Sequence, residues 1–227
     1  MVPPGTGSVT ELLRALLIAN GDPPSARLAQ HERDRAHLVL AVDGGAATAH
    51  RLGIEPHIVC GDFDSISLAA AGTLFPRAEI VELPDQELAD LEKAVLLALE
   101  RGAQEITILG ALGGRGDHAL GALLTLTRFG PPGCVRLLGE GETVYGIPAS
   151  VDETEVLLAC RTGDTVSVFA AGGAVVSISG VKWPLTGTYL PPGTRGVSNE
   201  AAGGEVRVAS RDGAVLVFHR PRVIPTS

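Results

Sequence analysis

Residues 37–65 read HLVLAVDGGAATAHRLGIEPHIVCGDFDS, and this stretch decides the expected fold. The runs at 37–42 and 57–60 are almost continuous in Val, Ile and Leu, which is typical of strands covered on both faces of a sheet. A helix is expected directly after the paired glycines Gly44 and Gly45. Strand, helix and strand in series predict parallel strands joined by a crossover helix.

The same alternation extends in both directions along the chain. Further strands are predicted at 15–20, 79–83, 105–110 and 134–139. Two helices are predicted from DLEKAVLLALERG, which begins at Asp90 and stops at Gly102, and from DHALGALLTLTRFG, which begins at Asp117 and stops at Gly130. The first part of the chain is therefore expected to be a doubly wound, mostly parallel sheet with helices on both faces.

The pattern changes after about residue 146. Runs at 164–170, 174–180, 205–210 and 214–219 partly alternate apolar and polar residues, and Gly and Pro separate them. This pattern predicts an antiparallel all-β sandwich. We therefore predict a flexible tail over residues 1–8, an α/β domain over 9–145 and a β domain over 146–227.

Charge and cysteine content narrow the class of protein. The formal net charge of −8 argues against nucleic acid and anionic membranes as partners, because both would repel the chain. The three cysteines, Cys60, Cys134 and Cys160, are widely spaced, so they predict neither a disulfide framework nor a zinc site. No signal peptide or membrane span is evident, and a cytoplasmic protein is expected.

Carboxylates and glycines follow four of the predicted strands. Ligands of parallel α/β sheets bind beyond the carboxyl ends of the strands, so these positions are the candidate site. They are Asp43-Gly44-Gly45, the pair Asp62 and Asp64, the segment Asp85 to Asp90, and the segment Gly113-Gly114-Arg115-Gly116-Asp117-His118.

Asp62 and Asp64 lie one residue apart, and two carboxylates this close repel each other unless a cation lies between them. Mg²⁺, a hard cation that prefers oxygen ligands, would remove that repulsion. Asp90 and Asp117 could each be helix caps instead of ligands. Paired glycines let backbone N–H groups approach phosphate oxygens, and Arg115 is a natural phosphate clamp. A nucleoside triphosphate bound with Mg²⁺ is therefore expected, although the chain has no P-loop motif.

Four motifs in order resemble the thiamine pyrophosphokinase family: AVDGGAATAHRLGIEPHIVCGDFDSIS, PDQELADLEKAV, GALGGRGDHALGAL and SGVKWPL followed by GVSNE. The resemblance implies transfer of the pyrophosphoryl group of ATP to the hydroxyl of thiamine, giving thiamine diphosphate and AMP. It also implies Mg²⁺ dependence and a homodimer with thiamine bound at the subunit interface.

The resemblance implies a role for each matching residue. Asp62, Asp64, Asp90 and Arg115 would be catalytic, and the first three would hold the metal. Residues near the nucleotide and its metal would be Asp43, Gly44, Gly45, Gln86, Gly114, Asp117 and His118. Trp183, Ser198 and Asn199 would form the thiamine pocket. Two residues depart from the family pattern Asp-x-Asp-x-Thr-Asp. Glu87 keeps a negative charge on a longer side chain, and Ala89 lacks the hydroxyl of threonine.

Several alternatives stay open on the sequence alone. The general base could be Asp64 or Asp90, and His118 at a helix start could be structural. Trp183, the one tryptophan of the chain, could be a core residue or could stack on thiamine. Other possible functions are a non-catalytic regulatory protein that binds nucleotide or thiamine, and a Mg²⁺-dependent phosphotransferase for another alcohol.

Overall fold

The computed structural model describes residues 12–222, so the predicted tail over 1–8 lies outside the described residues. The first half contributes six strands: β1 (Arg14–Ile18), β2 (Leu38–Val42), β3 (Ile58–Gly61), β4 (Glu79–Glu82), β5 (Glu105–Leu109) and β6 (Val135–Gly139). They lie in the order β6-β5-β1-β2-β3-β4, and all neighbours are parallel. These are the six predicted strands. Because β2 and β5 flank β1 on opposite sides, the strand order reverses there, which is where such sheets open a crevice.

Helices cover both faces of this sheet, as predicted. They are α1 (Ala26–Arg35), α2 (Gly45–Arg51), α3 (Leu68–Leu74), α4 (Asp90–Glu100) and α5 (Gly116–Thr125). Buried residues of α1, α2 and α3 pack on one face with Leu16 and Ile18 of β1. Those of α4 and α5 pack on the other face with Leu17. Alternate residues of one strand are thus buried in two different cores, one on each face of the sheet, which explains the nearly continuous apolar runs.

Two elements differ from their predictions. Helix α5 ends at Thr125 instead of continuing toward Gly130, and the hydroxyls of Thr125 and Thr127 donate to the carbonyls of Gly121 and Leu124. Strand β4 lies at the edge of the sheet, so its side chains are exposed or half-buried and not covered on both faces.

The second half is antiparallel. Its strands are β7 (Glu142–Ile147), β8 (Thr154–Cys160), β9 (Thr165–Ala170), β10 (Ala174–Ser179), β11 (Leu185–Leu190), β12 (Gly196–Glu200), β13 (Gly204–Arg211) and β14 (Val215–Arg220). Strands β11-β10-β13-β8 form a separate sheet. Its inner side chains, such as Val176 and Val208, share one core with Val168 of β9 and Val217 of β14. The predicted order, an α/β part followed by an antiparallel sandwich, is confirmed.

One large sheet connects the two halves. Strands β12-β9-β14-β7 continue the parallel sheet beyond β6, because β7 pairs with β6 on one side and with β14 on the other. The proposed boundary between residues 145 and 146 falls inside β7 and stays a prediction. Within residues 12–222, no helix combines the length and the apolar character needed to cross a membrane.

Candidate active site

A cleft of about 580 Å³ opens beyond the carboxyl ends of the parallel strands. The predicted residues that line it are Asp43, Asp62, Asp64, Gln86, Asp90, Arg115, Asp117 and His118. The sheet topology brings them together, although they are spread over more than seventy residues of sequence. Gly44, Gly45 and Gly114 do not line the cleft, although Gly44 and Gly114 each adjoin a lining residue in the sequence.

Three carboxylates converge on one wall of the cleft. Asp43, Asp62 and Asp64 each present an oxygen, and these atoms lie within 4.8 Å of one another. The backbone is unusual at two points that create this arrangement, with φ of 46° at Asp43 and 61° at Phe63. Such left-handed conformations are unfavourable for residues other than glycine and tend to be kept at functional sites. At Phe63 the turn brings the flanking aspartates together, and Asp64 N donates to Asp62 Oδ1 at 3.2 Å.

The donor set of this group fits a hard divalent cation. Three carboxylates of different burial converge, and none of the salt bridges among residues 12–222 involves them. Oxygen ligands of this kind suit Mg²⁺, which keeps part of its water shell and binds substrate phosphates as well. The predicted metal set was Asp62, Asp64 and Asp90. The structure places Asp43 beside the first two and Asp90 outside this group, so a metal role for Asp90 stays a prediction.

Asp90 is the first residue of α4, and its Oδ1 lies 2.7 Å from the ammonium of Lys93. The residue before it, Ala89, occupies the N-cap position and makes no side-chain hydrogen bond. Asp90 is therefore not the N-cap residue of α4, which was one of its two predicted roles. In the preceding loop, Gln86 Nε2 donates to the carbonyl of Pro84 at 3.2 Å, and Glu87 N donates to Asp85 Oδ1 at 2.8 Å.

Arg115 lies at the start of α5 and forms an ion pair with Asp117. Its Nε and terminal nitrogen donate to the two carboxylate oxygens at 3.2 and 2.6 Å. Hydrogen bonding from Arg115, assisted by the N–H of His118, lowers the pKa of Asp117 to about 2. Arg115, not Asp117, occupies the N-cap position of α5. The pair is solvent-exposed at the cleft mouth, where the guanidinium can exchange a carboxylate for a phosphate.

Of the paired glycines at 44–45, Gly45 is required by packing, because it lies against the main chain of β1. A Cβ atom on Gly45 would overlap the carbonyl oxygen of Ile18, and one on Gly44 would overlap the amide of Asn20. Helix α2 thus begins directly against the end of β1, which only glycine permits. Their predicted contact with phosphates stays a prediction, as does that of Gly114.

The three predicted thiamine residues lie in the sandwich. Trp183 is 56% exposed, so it is not a core residue. Its ring centroid lies 4.8 Å from the ammonium of Lys182, a cation–π contact. Asn199 is buried and bridges to the main chain of Trp183, while Ser198 has φ of 60° and its N–H donates to Ser167 Oγ at 2.9 Å. The structure brings these three residues together, but they do not line the cleft.

A second cluster of potential metal ligands consists of Cys160, Asp164 and His219. Asp164 is 2% exposed, and its carboxylate accepts hydrogen bonds from Arg161 N, Arg222 N and His219 Nε2. Burial and the charge of Asp164 raise the pKa of the Cys160 thiol to about 11, which keeps it neutral. We interpret this cluster as an anchor for the end of β14.

Polar residues that line the cleft and that sequence reasoning did not single out include Asn20, Ser65 and Lys93. Asn20 directly follows β1, so the rule that singled out the other strand ends would also have found it. Lys93 lies within a helix, and a lysine on an otherwise apolar helix face was the available signal.

Two protein-family models match this chain. Residues 29–135 match the family model described as thiamin pyrophosphokinase, catalytic domain. Residues 151–215 match the model described as thiamin pyrophosphokinase, vitamin B1 binding domain. Between them the two matches cover most of the chain.

Individual proteins similar to this chain are also thiamine pyrophosphokinases. Thiamin pyrophosphokinase 1 of Caenorhabditis elegans is 29% identical over 210 residues, covering 87% of this chain and 85% of that protein. Thiamine pyrophosphokinase of Bacillus subtilis (strain 168) is 28% identical over 171 residues, covering 74% and 79%. A crystal structure of thiamine pyrophosphokinase from Bacillus subtilis has the same fold, with a TM-score of 0.74 at 22% identity over 92% of this chain and 100% of that one. The resemblance inferred from the four motifs is thereby confirmed, and the chain belongs to the thiamin pyrophosphokinase family.

Proposed function

We propose that this protein transfers the pyrophosphoryl group of ATP to the hydroxyl of thiamine, giving thiamine diphosphate and AMP. Its family and its homologues are thiamine pyrophosphokinases, and nothing in them favours the non-catalytic alternative. The observation that carries the proposal is the cleft itself, which places the carboxylates of Asp43, Asp62 and Asp64 on one wall and Arg115 at its mouth.

Transfer of a pyrophosphoryl group to a hydroxyl requires positioning and neutralisation of charge more than covalent chemistry by the protein. Asp43, Asp62 and Asp64 would hold Mg²⁺, which when bound neutralises charge on the phosphate oxygens. Arg115 would leave Asp117 to bind the anionic phosphates, and Gln86 would contact them from the opposite loop. Asp64 or Asp90 would accept the proton of the thiamine hydroxyl.

Trp183 supports the proposed thiamine pocket, because an exposed aromatic face beside a polar wall suits a flat, cationic substrate. Since Trp183, Ser198 and Asn199 do not line the cleft of their own chain, we propose a homodimer. In this dimer the tryptophan of one chain would bind thiamine close to the cleft of its partner. A cytoplasmic location is part of the same proposal.

The test is an assay of the purified protein with ATP, Mg²⁺ and thiamine, in which the products are identified by mass. Thiamine diphosphate and AMP are expected. Asp62→Asn should abolish both products, because it removes a charge from the acidic group. Asp152→Asn is the matched control, since Asp152 lies on an exposed loop of the sandwich. ADP as the nucleotide product, or full activity of Asp62→Asn, would refute the proposed chemistry or the proposed metal role respectively.

A further inference from the structure

Lys93 is a buried cation at the cleft that the proposed chemistry does not use. Its side chain is 6% exposed, yet it lines the cleft. The ammonium donates to the carbonyl oxygens of Leu83 at 2.7 Å and Asp85 at 2.9 Å. It also lies 2.7 Å from Asp90 Oδ1. Two of its three N–H donors are thus hydrogen-bonded to carbonyl oxygens, while the contact with Asp90 is an ion pair, because Asp90 Oδ1 is buried without a hydrogen-bond partner.

These three oxygens belong to one short segment of the chain, of which Asp85 and Asp90 line the cleft. Leu83 directly follows β4, Asp85 lies in the loop that carries Gln86, and Asp90 is the first residue of α4. Lys93, one turn into α4, therefore contacts both ends of the 83–90 segment through a single ammonium group. At its start, Leu83 N also donates to the carbonyl of Gly61 at 2.8 Å, whereas the hydrogen bonds made by the side chains of the loop are local.

The charge of Lys93 is also important. Cationic Lys and Arg side chains that line the cleft are Lys93 and Arg115, among lining carboxylates that include Asp43, Asp62 and Asp90. Arg115 is exposed and paired with Asp117, so Lys93 is the cation buried in the wall. Without it, two carbonyls and a carboxylate would lose their partner, and the wall would gain one net negative charge facing an anionic nucleotide.

We propose that Lys93 is a positioning residue for nucleotide binding, which fixes the 83–90 segment and offsets the charge of Asp90. This inference rests on the proposed function, in that ATP with Mg²⁺ is taken as the nucleotide. Lys93 does not touch the reacting atoms, and it acts through Asp90 and through the loop that carries Gln86.

A purely structural role must be separated from a positioning role, and α4 provides the control. Glu92 precedes Lys93 on the same helix and is similarly buried, at 8% exposed. It forms a salt bridge with Arg128, beyond the end of α5, and does not line the cleft. Glu92→Gln therefore disrupts a buried ion pair on the same helix and leaves the cleft wall unchanged.

The experiment compares Lys93→Met, Lys93→Arg and Glu92→Gln with the unmodified protein. The midpoint of urea unfolding reports stability, calorimetric titration with Mg·ATP reports nucleotide binding, and product formation gives kcat and KM. Lys93→Met should weaken Mg·ATP binding about tenfold or more, a size expected from misplaced binding groups. Glu92→Gln should change binding less than about twofold at a comparable loss of stability. Lys93→Arg, which keeps the charge but not the geometry, should fall between them.

The proposal is wrong if Lys93→Met binds Mg·ATP like the unmodified protein, or if Glu92→Gln weakens binding equally. Should Lys93→Met fail to fold, Lys93→Arg decides, since unchanged binding in a stable variant would overturn the positioning role. Because binding is measured directly, the result is independent of turnover. An unmodified protein that binds Mg·ATP but forms no thiamine diphosphate would contradict the proposed function and leave the Lys93 comparison valid.

Discussion

The side-chain amide of Asn199 forms two hydrogen bonds with the main chain of Trp183. Trp183 N donates to Asn199 Oδ1 at 3.1 Å, and Asn199 Nδ2 donates to Trp183 O at 2.7 Å. Asn199 Oδ1 also accepts from Glu200 N at 3.0 Å. Asn199 Oδ1 thus accepts two hydrogen bonds and Nδ2 donates one, so Asn199 fixes the main chain that carries the exposed indole.

Replacing Asn199 by Asp should therefore impair thiamine binding through Trp183. The new carboxylate oxygen would face the carbonyl of Trp183 instead of donating to it, at a cost of about 1–3 kcal/mol in the free energy of unfolding. We expect a several-fold higher KM for thiamine with a smaller change in the KM for ATP. Urea unfolding and steady-state kinetics measure both effects. The control is Gln30→Glu, the same change at an exposed amide of α1. An unchanged KM for thiamine would contradict the holding role.

Trp183 offers a direct optical test, because it is the one tryptophan in the chain and is 56% exposed. Stacking of thiamine on the indole should quench or shift its fluorescence in a saturable way. Trp183→Phe should keep part of the affinity, and Trp183→Ala should lose most of it. Since the ring is exposed, neither should lower stability by more than about 1 kcal/mol. Thiamine turnover with unchanged tryptophan emission would place the pocket elsewhere.

Ala89 occupies the N-cap position of α4 with extended dihedral angles (φ −66°, ψ 149°) and no side-chain hydrogen bond. Ala89→Thr supplies a hydroxyl that can accept from an N–H of the first turn, so it should raise the free energy of unfolding by about 1 kcal/mol. Ala89→Val is the matched control, because it has the shape of threonine without the hydroxyl. Equal urea midpoints for the two variants would show that no cap forms.

The pH dependence of stability should include a contribution from Glu79 and Arg101. The guanidinium donates to both carboxylate oxygens at 2.7 Å, and this hydrogen bonding lowers the pKa of Glu79. A carboxyl whose folded pKa is depressed stabilises the fold above its unfolded pKa and loses that contribution as the pH falls through the folded value. Glu79→Gln should therefore be less stable than the parent at pH 7, and the difference should vanish in acid. A constant difference across the pH range would contradict this linkage.

Much of the fold was predictable because burial on two faces leaves a continuous apolar signature in β1, β2, β3 and β5. Strands β7, β8, β11 and β12 were missed. In β11 and β12 the apolar signature is absent because about half or more of their positions are exposed. The pairing of β7 with β6 depends on contacts across the sheet, which local periodicity does not encode.

The site was predictable to a similar extent and for a similar reason. Residues that directly follow strands converge by topology, so Asp43, Asp62 and Asp64 were found. Lys93 was missed, because its role depends on carbonyl oxygens brought to it by a loop. The left-handed turn at Phe63 had no cue either, since φ above zero is unusual for an aromatic residue.

Strand β7 limits how this protein can be divided. Because β7 is hydrogen-bonded to β6 and to β14, a fragment ending near residue 145 would lose β14, the outer partner of its last strand. It would present a bare sheet edge, and edges of that kind recruit other chains. The complementary fragment would begin inside the same strand and expose the opposite edge. We therefore expect the separated halves to self-associate when expressed alone, and to reassemble when expressed together.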